Sequence, residues 1–482
     1  MSRGELPPTV FVLFGATGDL ARRMVLPAFF ELAVRGMLPA RWKLVGVGRR
    51  PVSDEDFRAH VRDALTGFGP LGGADDDDPA GTWAEFASRL RFAGGGFDMG
   101  DPGSLLDVLQ EIRDTLGTDP QLVHYLALPP ATFFPLTRAL AEHGLNAGAR
   151  VVYEKPYGTS PETFRELDEL VLSVFDEEQV FRMDHFLGKE GTQDLHVLRF
   201  ANLLFSRIWS REQVAQVQID VPEVLDVVDR AEFYDATGAA LDMLVSHLFQ
   251  VAAEVAMEPP ASLSPTDLQA ARESVLACFR PLDPARDVVL GQYRGYQDLD
   301  GVADESDTET FVAARLWVDS DRWRGVPFLL RSGKRMAVSA QRVSLLLRTP
   351  DGPVACLPEQ ANVVSLSLSG SGALEIDLAT KEPGPDLTLA RAATTLDLTS
   401  VPGAVPLPPY VSLLHDVLTG DRSLFTSSDG LARAWAAFAP LQQQRPTVHR
   451  YEPGSWGPPE AAALAGPDGW LLGRQARLPG GR

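Results

Sequence analysis

The sequence predicts an α/β N-terminal domain with a doubly wound parallel sheet over residues 1–183. A larger α+β domain with a mostly antiparallel sheet is predicted over residues 184–482. Three observations support this fold class. The chain has 482 residues, well beyond the size at which a single hydrophobic core stops growing. Strand and helix patterns alternate regularly in the first part, whereas strands are grouped with few intervening helices in the second.

The strand patterns of the first part are continuous apolar runs, which are typical of strands buried on both faces. VFVLF at 10–14 is the first of these runs, and KLVGVG at 43–48 is the second. Later examples occur within 122–130 and 150–158, and a helical pattern at about 132–143 separates them. This β-α-β alternation predicts the doubly wound parallel sheet.

The second part combines long helices with grouped strands. Helical patterns extend over about 186–205, 236–256 and 265–279. The predicted strands lie at 214–221, 311–318, 341–348, 362–369 and 373–380. Because few helices separate the later strands, antiparallel pairing is expected there.

Composition restricts the possible functional classes. Hydrophobic residues make up 45% of the chain, and the net charge is −21 without a basic stripe. This charge argues against nucleic acid and anionic membranes as partners. No apolar run approaches the roughly 20 residues of a membrane helix, and no signal-peptide layout is present. Cys278 and Cys356 suggest neither a disulfide framework nor a zinc cluster, so a cytoplasmic protein without a bound metal is expected.

Lysine is scarce in this chain. Of 44 lysine and arginine residues only five are lysines. Three of them, Lys155, Lys189 and Lys334, lie in the short segments EKP, LGKE and RSGK. A lysine is a compact point charge that arginine replaces poorly in a tight pocket. These three lysines are therefore candidate ligand contacts, and Lys155 also follows a buried strand at the carboxyl edge of the predicted sheet, where ligands bind.

The segment GATGDLA at 15–21 follows the first strand and opens a helix. Gly15 would permit a tight turn, Gly18 would let a pyrophosphate approach the backbone, and Ala21 would allow close helix packing. An ordinary strand–turn–helix connection is the alternative. The strand and helix on either side favour a dinucleotide-binding loop of the Rossmann type.

Arg49 indicates which dinucleotide is preferred. It follows the second strand, at the position where NAD-binding sites usually carry an acidic residue. An arginine there suits the 2′-phosphate of NADP. The sequence therefore favours NADP as cofactor, and NAD stays possible.

The segment RMDHFLGKE at 182–190 combines Asp184 and His185 with Lys189. If the segment is helical, His185 and Lys189 share one face. At the start of a helix, such a pair could hold a dianionic phosphate. The alternative is a solvated helix N-terminus with Asp184 as its cap.

His247 lies in the otherwise apolar segment ALDMLVSHLFQ. A lone histidine on such a face is more often a structural core residue than a functional one. If Asp184 is its partner, the pair would form a general base near neutral pH, because the carboxylate stabilises the imidazolium that forms. Both interpretations stay open on the residues alone.

The chain resembles the glucose-6-phosphate 1-dehydrogenase family over nearly its whole length. The motifs that carry the resemblance are GATGDLA, YLALPP, EKPYG, RMDHFLGKE with VLRFAN, AMEPP, GQYRGY, TETFVA, GVPFLLRSGK and YEPGSWGP, in the family's order. The resemblance implies oxidation of the sugar phosphate D-glucose 6-phosphate at C1 to the 6-phosphogluconolactone, with hydride transfer to NADP. It also implies a Rossmann domain, a larger α+β domain, and a homodimer or homotetramer formed through the second sheet.

The resemblance further implies roles for individual residues. His247 matches the family's general base, and Asp184 matches its orienting partner. His185 and Lys189 match phosphate ligands. The other implied contacts are Lys155, Lys334, Glu223 and Asp242 for the sugar, and Gly15, Thr17, Gly18, Asp19, Leu20, Arg49 and Lys155 for the cofactor.

Several positions depart from the family pattern. Met24 stands where a basic residue is common, and Phe186 replaces a tyrosine whose hydroxyl binds phosphate. Ser246 replaces an asparagine, and Ser369-Gly370 replaces a Gln-Pro segment, so that a sugar or cofactor contact is missing. A lost hydrogen bond to a charged group costs roughly 1.5–3 kcal/mol. Two alternative functions therefore stay open. One is a paralogous dehydrogenase for another hexose phosphate, and the other is a weakly catalytic regulatory or assembly homologue.

Overall fold

A computed structural model describes residues 6–69, 82–350, 361–370 and 372–475. Cys356 lies outside these residues, and Cys278 is a free thiol.

The first sheet contains six parallel strands. They are β1 (Thr9–Phe14), β2 (Trp42–Val47), β3 (Leu90–Ala93), β4 (Gln121–Leu126), β5 (Arg150–Tyr153) and β6 (Val180–Arg182). Their order is β3-β2-β1-β4-β5-β6, so the direction of winding reverses between β1 and β4. This reversal leaves a crevice at the carboxyl ends of the two strands, which is where doubly wound sheets bind ligands. The predicted parallel sheet is confirmed.

Helices cover both faces of this sheet. They are α1 (Leu26–Val34), α2 (Asp54–Phe68), α3 (Thr82–Ala87), α4 (Leu105–Leu116), α5 (Phe133–Glu142) and α6 (Pro161–Val174), and the π-helical turn Ala21–Val25 precedes α1. All six residues of β1 are buried. Its side chains alternate between two apolar cores, with Val10 and Val12 in one and Phe11 and Leu13 in the other. A strand covered on both faces needs no polar positions, which explains the continuous apolar runs.

The second sheet contains nine strands. They are β7 (Val214–Pro222), β8 (Val288–Tyr293), β9 (Phe311–Trp317), β10 (Pro327–Gly333), β11 (Arg342–Leu347), β12 (Val363–Ser367), β13 (Ala373–Lys381), β14 (Leu389–Asp397) and β15 (Val448–Tyr451). Their order is β14-β13-β12-β11-β7-β10-β9-β8-β15. Neighbouring strands are antiparallel except for the β7/β10 and β8/β15 pairs. The mostly antiparallel sheet is confirmed, although the sequence analysis did not identify β8, β10, β14 and β15.

The remaining helices are α7 (Glu190–Ala201), α8 (Leu203–Ser206), α9 (Ala231–Ala240), α10 (Phe249–Ala256), α11 (Pro265–Leu276), α12 (Pro284–Asp287), α13 (Pro409–Thr419), α14 (Ser428–Gln443), α15 (Ala461–Leu464) and α16 (Leu471–Gln475). A π-helical segment, Leu241–Leu248, joins α9 to α10. The resulting stretch Ala231–Ala256 is long and apolar enough to cross a membrane, but 83% of its most apolar window is buried inside the protein. The sequence analysis expected no run of this length. Burial of this kind is typical of a core helix.

Helix α13 belongs to the late part of the sequence but packs on the first sheet. Tyr410, Leu413 and Leu414 of α13 are buried in the same apolar core as Phe11 and Leu13 of β1. The arginine Arg150 at the start of β5 also donates to the carbonyls of Val417 and Leu418, at 2.8 and 2.7 Å. Segments on both sides of residue 183 therefore share one core, and the boundary after that residue stays a prediction.

Candidate active site

The glycine loop after β1 has the geometry of a dinucleotide-binding turn. Gly15 has a φ of +77°, and a Cβ atom there would lie 2.4 Å from the carbonyl oxygen of Ala127. The backbone N–H of Gly18 donates to the Gly15 carbonyl at 2.8 Å and closes the turn. Only glycine combines this φ with so close an approach to backbone. The loop lies at the reversal point between β1 and β4, so its residues fit the pyrophosphate of a dinucleotide.

The other predicted cofactor residues surround this loop. Thr17 and Asp19 are exposed, and Leu20 packs against the core of the first sheet. Asp19 forms an exposed ion pair of 2.7 Å with Arg23. Arg49 is exposed just beyond the carboxyl end of β2, and its guanidinium has no hydrogen bond to any residue that the structure describes. It is therefore free to bind an anion beside the loop.

Asp184 and His247 form a buried pair. The Nδ1 atom of His247 lies 2.7 Å from Oδ1 of Asp184. The same carboxylate oxygen accepts the backbone N–H of Phe186 at 2.9 Å, which fixes the orientation of the carboxylate. The predicted contact is present, so His247 has a charged partner inside the core.

The second nitrogen of the His247 ring is available for chemistry. Its Nε2 atom is buried and has no hydrogen-bond partner among the residues that the structure describes. Burial and the nearby Lys155 charge lower the pKa of His247, and Asp184 opposes that shift without reversing it. The imidazole is therefore neutral at physiological pH, with Nε2 able to accept a proton.

His185 and Lys189, the two candidate phosphate ligands, do not lie on one face of a helix, which was one arrangement that the sequence allowed. Residues 183–189 form a turn between β6 and α7, and Lys189 is the residue that caps α7. The carbonyl of Lys189 accepts the N–H groups of Thr192 and Gln193 at 2.9 and 3.1 Å. His185 and Lys189 are brought together by this turn rather than by helical spacing. They lie at the positive end of the α7 dipole, which favours an anion.

Lys189 is a buried cation held on two sides. Its Nζ atom lies 4.5 Å from the centre of the Phe186 ring and donates to the Oε1 atom of Gln341. Burial lowers the pKa of Lys189 to about 8, while Asp184 and Glu223 partly oppose the shift. A cation whose charge is so poorly compensated has a strong preference for an anionic ligand.

His185 lies between the acid–base pair and α13. The centre of its ring is 4.7 Å from that of His247 and 6.4 Å from that of Tyr410, on which it stacks. Burial, together with the charges of Lys155 and Lys189, holds the pKa of His185 well below its usual range. A neutral imidazole at this position can donate one hydrogen bond to an anion.

The donor atoms of Asp184, His185 and His247 also lie within 4.8 Å of one another, a separation compatible with a metal ion. The sequence predicts no metal site. Because Asp184 and His247 are joined directly by a hydrogen bond, we interpret the three residues as an acid–base cluster.

Lys155 and Asp242 form a second pair close to His247. Lys155 Nζ donates to Oδ1 of Asp242 at 2.9 Å and lies 3.3 Å from the Asp242 carbonyl. Burial alone would raise the pKa of Asp242, but the charge and hydrogen bond of Lys155, with help from Lys334, lower it to about 2. The carboxylate therefore stays ionised and can accept hydrogen bonds from hydroxyl groups.

Lys334 and Glu223 form a third pair at the end of the second sheet. Lys334 follows β10 and Glu223 follows β7, and the two strands are parallel neighbours. Their side chains meet at 2.7 Å between Nζ and Oε2. Because β7 and β10 are parallel, the two residues that follow them lie at the same edge of the second sheet. The residues that follow β1 and β4 lie together in the same way at one edge of the first sheet. The charge of Lys334 helps to lower the pKa of Asp242, and that of Glu223 opposes the lowering of the Lys189 pKa, so this third pair lies near the other predicted substrate residues.

The residues that depart from the family pattern have different surroundings. The Phe186 ring stacks on His247 with 4.5 Å between ring centres. Ser246 donates to the Asp242 carbonyl at 2.8 Å, so it supports the Lys155 pair. Met24 and Ser369 are exposed.

Sequence reasoning missed three side chains at this site. Gln341 accepts from Lys189, and Tyr410 stacks on His185. The third, Glu154, is buried and accepts hydrogen bonds from Tyr410 at 3.3 Å and from Tyr125. None of these belongs to a recognisable short motif. Glu154 directly precedes Lys155 in EKPYG, and this was the one signal that could have indicated it.

Comparison with protein families and with known proteins gives consistent results. Residues 12–194 match the family "Glucose-6-phosphate dehydrogenase, NAD binding domain", and residues 196–471 match "Glucose-6-phosphate dehydrogenase, C-terminal domain". Glucose-6-phosphate 1-dehydrogenase from Aggregatibacter actinomycetemcomitans is 32% identical, over 97% of each chain. Glucose-6-phosphate 1-dehydrogenase 1 from Mycobacterium tuberculosis is 36% identical, over 96% of each chain.

Solved structures show the same similarity. The crystal structure of glucose-6-phosphate 1-dehydrogenase from Mycobacterium avium superimposes with a TM-score of 0.86 at 34% identity, covering 97% of this chain and 98% of the other. A glucose-6-phosphate dehydrogenase in complex with its substrate glucose 6-phosphate gives a TM-score of 0.88 at 30% identity, covering 98% and 99%.

Proposed function

The chain belongs to the glucose-6-phosphate dehydrogenase family, and we propose that NADP is the hydride acceptor when it oxidises D-glucose 6-phosphate. The reaction converts C1 of the sugar to the carbonyl of 6-phospho-D-glucono-1,5-lactone, the first step of the oxidative pentose phosphate pathway. The observation that carries this function is the buried pair of Asp184 and His247, whose Nε2 is unpartnered in the described structure.

His247 acts on the hydroxyl group at C1. Its Nε2 atom accepts the proton of O1 as the C1–H bond breaks, and the O1 electron pair forms the carbonyl. The Asp184 carboxylate, 2.7 Å from Nδ1, stabilises the positive charge that develops on the imidazole. Burial of the pair makes this stabilisation stronger than it would be in water.

The first domain binds the nicotinamide cofactor. When bound, NADP supplies the acceptor for the hydride that leaves C1. Gly15 and Gly18 form the turn that a pyrophosphate can approach, and Arg49 lies free beyond β2 to pair with the 2′-phosphate. The absence of an acidic side chain from the Val47-Gly48-Arg49 segment supports NADP over NAD.

The phosphate group of the substrate binds at the start of α7. Lys189 supplies a buried positive charge and His185 supplies a neutral donor, both at the positive end of the helix. The chain carries a net charge of −21, so a dianionic substrate needs a strong local positive potential to bind. A buried lysine with a lowered pKa provides that potential only while it is protonated.

The sugar ring binds between the two ion pairs. Lys155 and Lys334 each hold a carboxylate in place, Asp242 at 2.9 Å and Glu223 at 2.7 Å. Ionised carboxylates that are already oriented can accept hydrogen bonds from the hydroxyl groups of the ring without further reorganisation. This arrangement distinguishes a hydroxylated sugar from other phosphate esters.

The test is a steady-state assay of reduced cofactor with glucose 6-phosphate, run with NADP and with NAD. A panel containing other hexose 6-phosphates and an amino sugar phosphate completes it, because Phe186 and Ser369 alter the family pattern. We expect the highest kcat/KM with glucose 6-phosphate and NADP. A higher kcat/KM with NAD would refute the cofactor assignment.

We propose a homodimer or homotetramer formed through the second sheet, in the cytoplasm. The edge strand β14 is exposed along most of its length and carries the exposed Leu396, on the same face of the sheet as the exposed Leu378 of β13. An exposed edge of this length is typical of a surface that pairs with another chain. Analytical ultracentrifugation of the full chain measures the assembly.

A further inference from the structure

The side chain of Gln341 touches the phosphate-binding lysine. Its Oε1 atom accepts a hydrogen bond from Nζ of Lys189, across 152 positions of sequence. The Phe186 ring lies on another side of the same ammonium, 4.5 Å from it. An aromatic ring and a carboxamide oxygen therefore hold the cation. Within the described structure, the Nε2 group of Gln341 donates to no other atom.

The position of Gln341 is fixed by its backbone. Gln341 immediately precedes β11, and its carbonyl accepts the N–H of Leu368 at 2.7 Å. The end of β12 in turn lies directly against the start of α7, since a Cβ on Gly191 would meet the Ser367 carbonyl at 2.5 Å. Gln341 thus belongs to a tightly packed junction between the second sheet and the phosphate-binding turn.

We propose that Gln341 is a further substrate-binding residue, whose carboxamide holds Lys189 through Oε1 and donates from Nε2 to the phosphate group of glucose 6-phosphate. This inference rests on the function proposed above. A carboxamide carries an acceptor and two N–H donors a short distance apart. With its acceptor occupied by the ammonium, its donors remain for the anion that the same ammonium binds.

The proposal accounts for two departures in this chain. Phe186 offers an aromatic face and no hydroxyl, so a donor is missing on that side of the phosphate. Ser369, which stands in place of a glutamine, is exposed and directly follows Leu368. Gln341 directly precedes the neighbouring strand β11 and is hydrogen-bonded to Leu368, so it places a carboxamide in this part of the site.

The neutral charge of the residue is part of the argument. A carboxylate at this position would also pair with Lys189, and more strongly, but it would repel a phosphate dianion. A purely structural role for Gln341, by contrast, would tolerate a glutamate as a partner of Lys189. Gln341→Met removes both the acceptor for Lys189 and the donor for the phosphate, whereas Gln341→Glu keeps an acceptor for Lys189 and replaces the donor by a negative charge.

The experiment measures KM and kcat for glucose 6-phosphate, together with the dissociation constant of inorganic phosphate by calorimetry. Removing one hydrogen bond to a charged group weakens binding by about 10- to 100-fold. We expect Gln341→Met to raise KM and the phosphate dissociation constant by that factor, with kcat and the KM of NADP changed less than about 3-fold. Gln341→Glu should weaken phosphate binding further.

Gln269→Met is the matched control, because Gln269 is similarly half-buried and donates to two backbone carbonyls away from the site. It should change neither constant. The proposal is overturned if both Gln341 variants bind phosphate and glucose 6-phosphate as the wild type does. If a variant does not fold, as judged by thermal unfolding, Gln341→Asn serves instead, since it shortens the side chain and keeps the carboxamide. Failure of the wild type to oxidise glucose 6-phosphate would refute the proposed function, whereas the phosphate measurement tests Gln341 independently of turnover.

Discussion

Oδ1 of Asp184 and Nδ1 of His247 are 2.7 Å apart, although 63 positions separate the two residues in the sequence. Asp184 follows the last strand of the first sheet, and His247 lies in the π-helical segment between α9 and α10. The acid–base pair therefore exists only when the two parts of the chain are packed together. The apolar segment around His247 alone does not indicate this pairing, because its partner lies 63 positions earlier in the chain.

Replacing His247 by asparagine should lower kcat by about 10²–10⁴-fold, because the general base is lost. The KM for glucose 6-phosphate should change little, since the phosphate contacts are retained. Steady-state kinetics measure both constants. His143→Asn is the control: the His143 ring hydrogen-bonds to the Asp98 carbonyl at 2.7 Å and packs against Phe97, and neither of these residues belongs to the candidate site. A His247→Asn enzyme with near-normal kcat would exclude His247 as the base.

The binding of glucose 6-phosphate should weaken at alkaline pH. Burial lowers the pKa of Lys189 to about 8, so the ammonium is charged below this pH and loses its proton as the pH rises through it. The dianion then meets a neutral amine, and KM should rise above about pH 8.

The matching variant is Lys189→Arg, whose guanidinium stays charged at every accessible pH. It should abolish the alkaline rise in KM but bind substrate more weakly throughout, because the larger planar group does not fit the space between Phe186 and Gln341. Lys381→Arg, at an exposed lysine that donates to the Glu382 and Gly384 carbonyls, should leave the profile unchanged. An alkaline rise that persists in Lys189→Arg would assign the titration to another group.

Replacing Arg49 by alanine should raise the KM of NADP by about 10- to 100-fold, the effect of losing a charge-assisted contact to the 2′-phosphate. The KM of NAD, which lacks this phosphate, should change less than about 2-fold. Initial rates with each cofactor measure the effect. Arg41→Ala, at the opposite end of β2 and exposed, should affect neither. An equal rise in KM for both cofactors would show that Arg49 does not bind the 2′-phosphate.

Gly15→Ala should destabilise the dinucleotide loop by about 1–3 kcal/mol from its positive φ alone, with a further cost from the 2.4 Å approach to the Ala127 carbonyl. We expect a lower midpoint of urea unfolding and a large loss of NADP affinity. Gly36→Ala measures the cost of a positive φ alone, because Gly36 has a φ of +64° and an added Cβ there would have nothing within 4 Å. If the two variants lose equal stability and both retain NADP binding, the close approach has no role.

The first sheet could be predicted well because its signals are local. Strands such as β1 are buried on both faces and are therefore continuously apolar, and the turn at Gly15 is closed by Gly18, only three residues further along. The second sheet was predicted less completely. Strand β14 is exposed along most of its length, so it lacks the apolar alternation by which a half-buried strand is identified.

The site was predictable to the extent that its residues occur in motifs. The turn at 183–189 was harder to predict. Asp184 and Lys189 suit a position just before a helix as well as a position within its first turn. Gln341 and Tyr410 carry no motif, and each reaches the site through contacts with residues far away in the sequence. Their identification requires the packing of α7 and α13 against the sheets.

The packing of α13 on the first sheet has a consequence during synthesis of the protein. Leu413 and Leu414 complete an apolar core that begins with Phe11 and Leu13, so the first sheet leaves the ribosome with this core partly uncovered. The last strand of the sheet ends at Arg182, and about 230 further residues must be translated before Leu413 is made. At typical elongation rates this interval lasts roughly 10–50 seconds, long enough to make the nascent chain a client for chaperones that shield apolar surface.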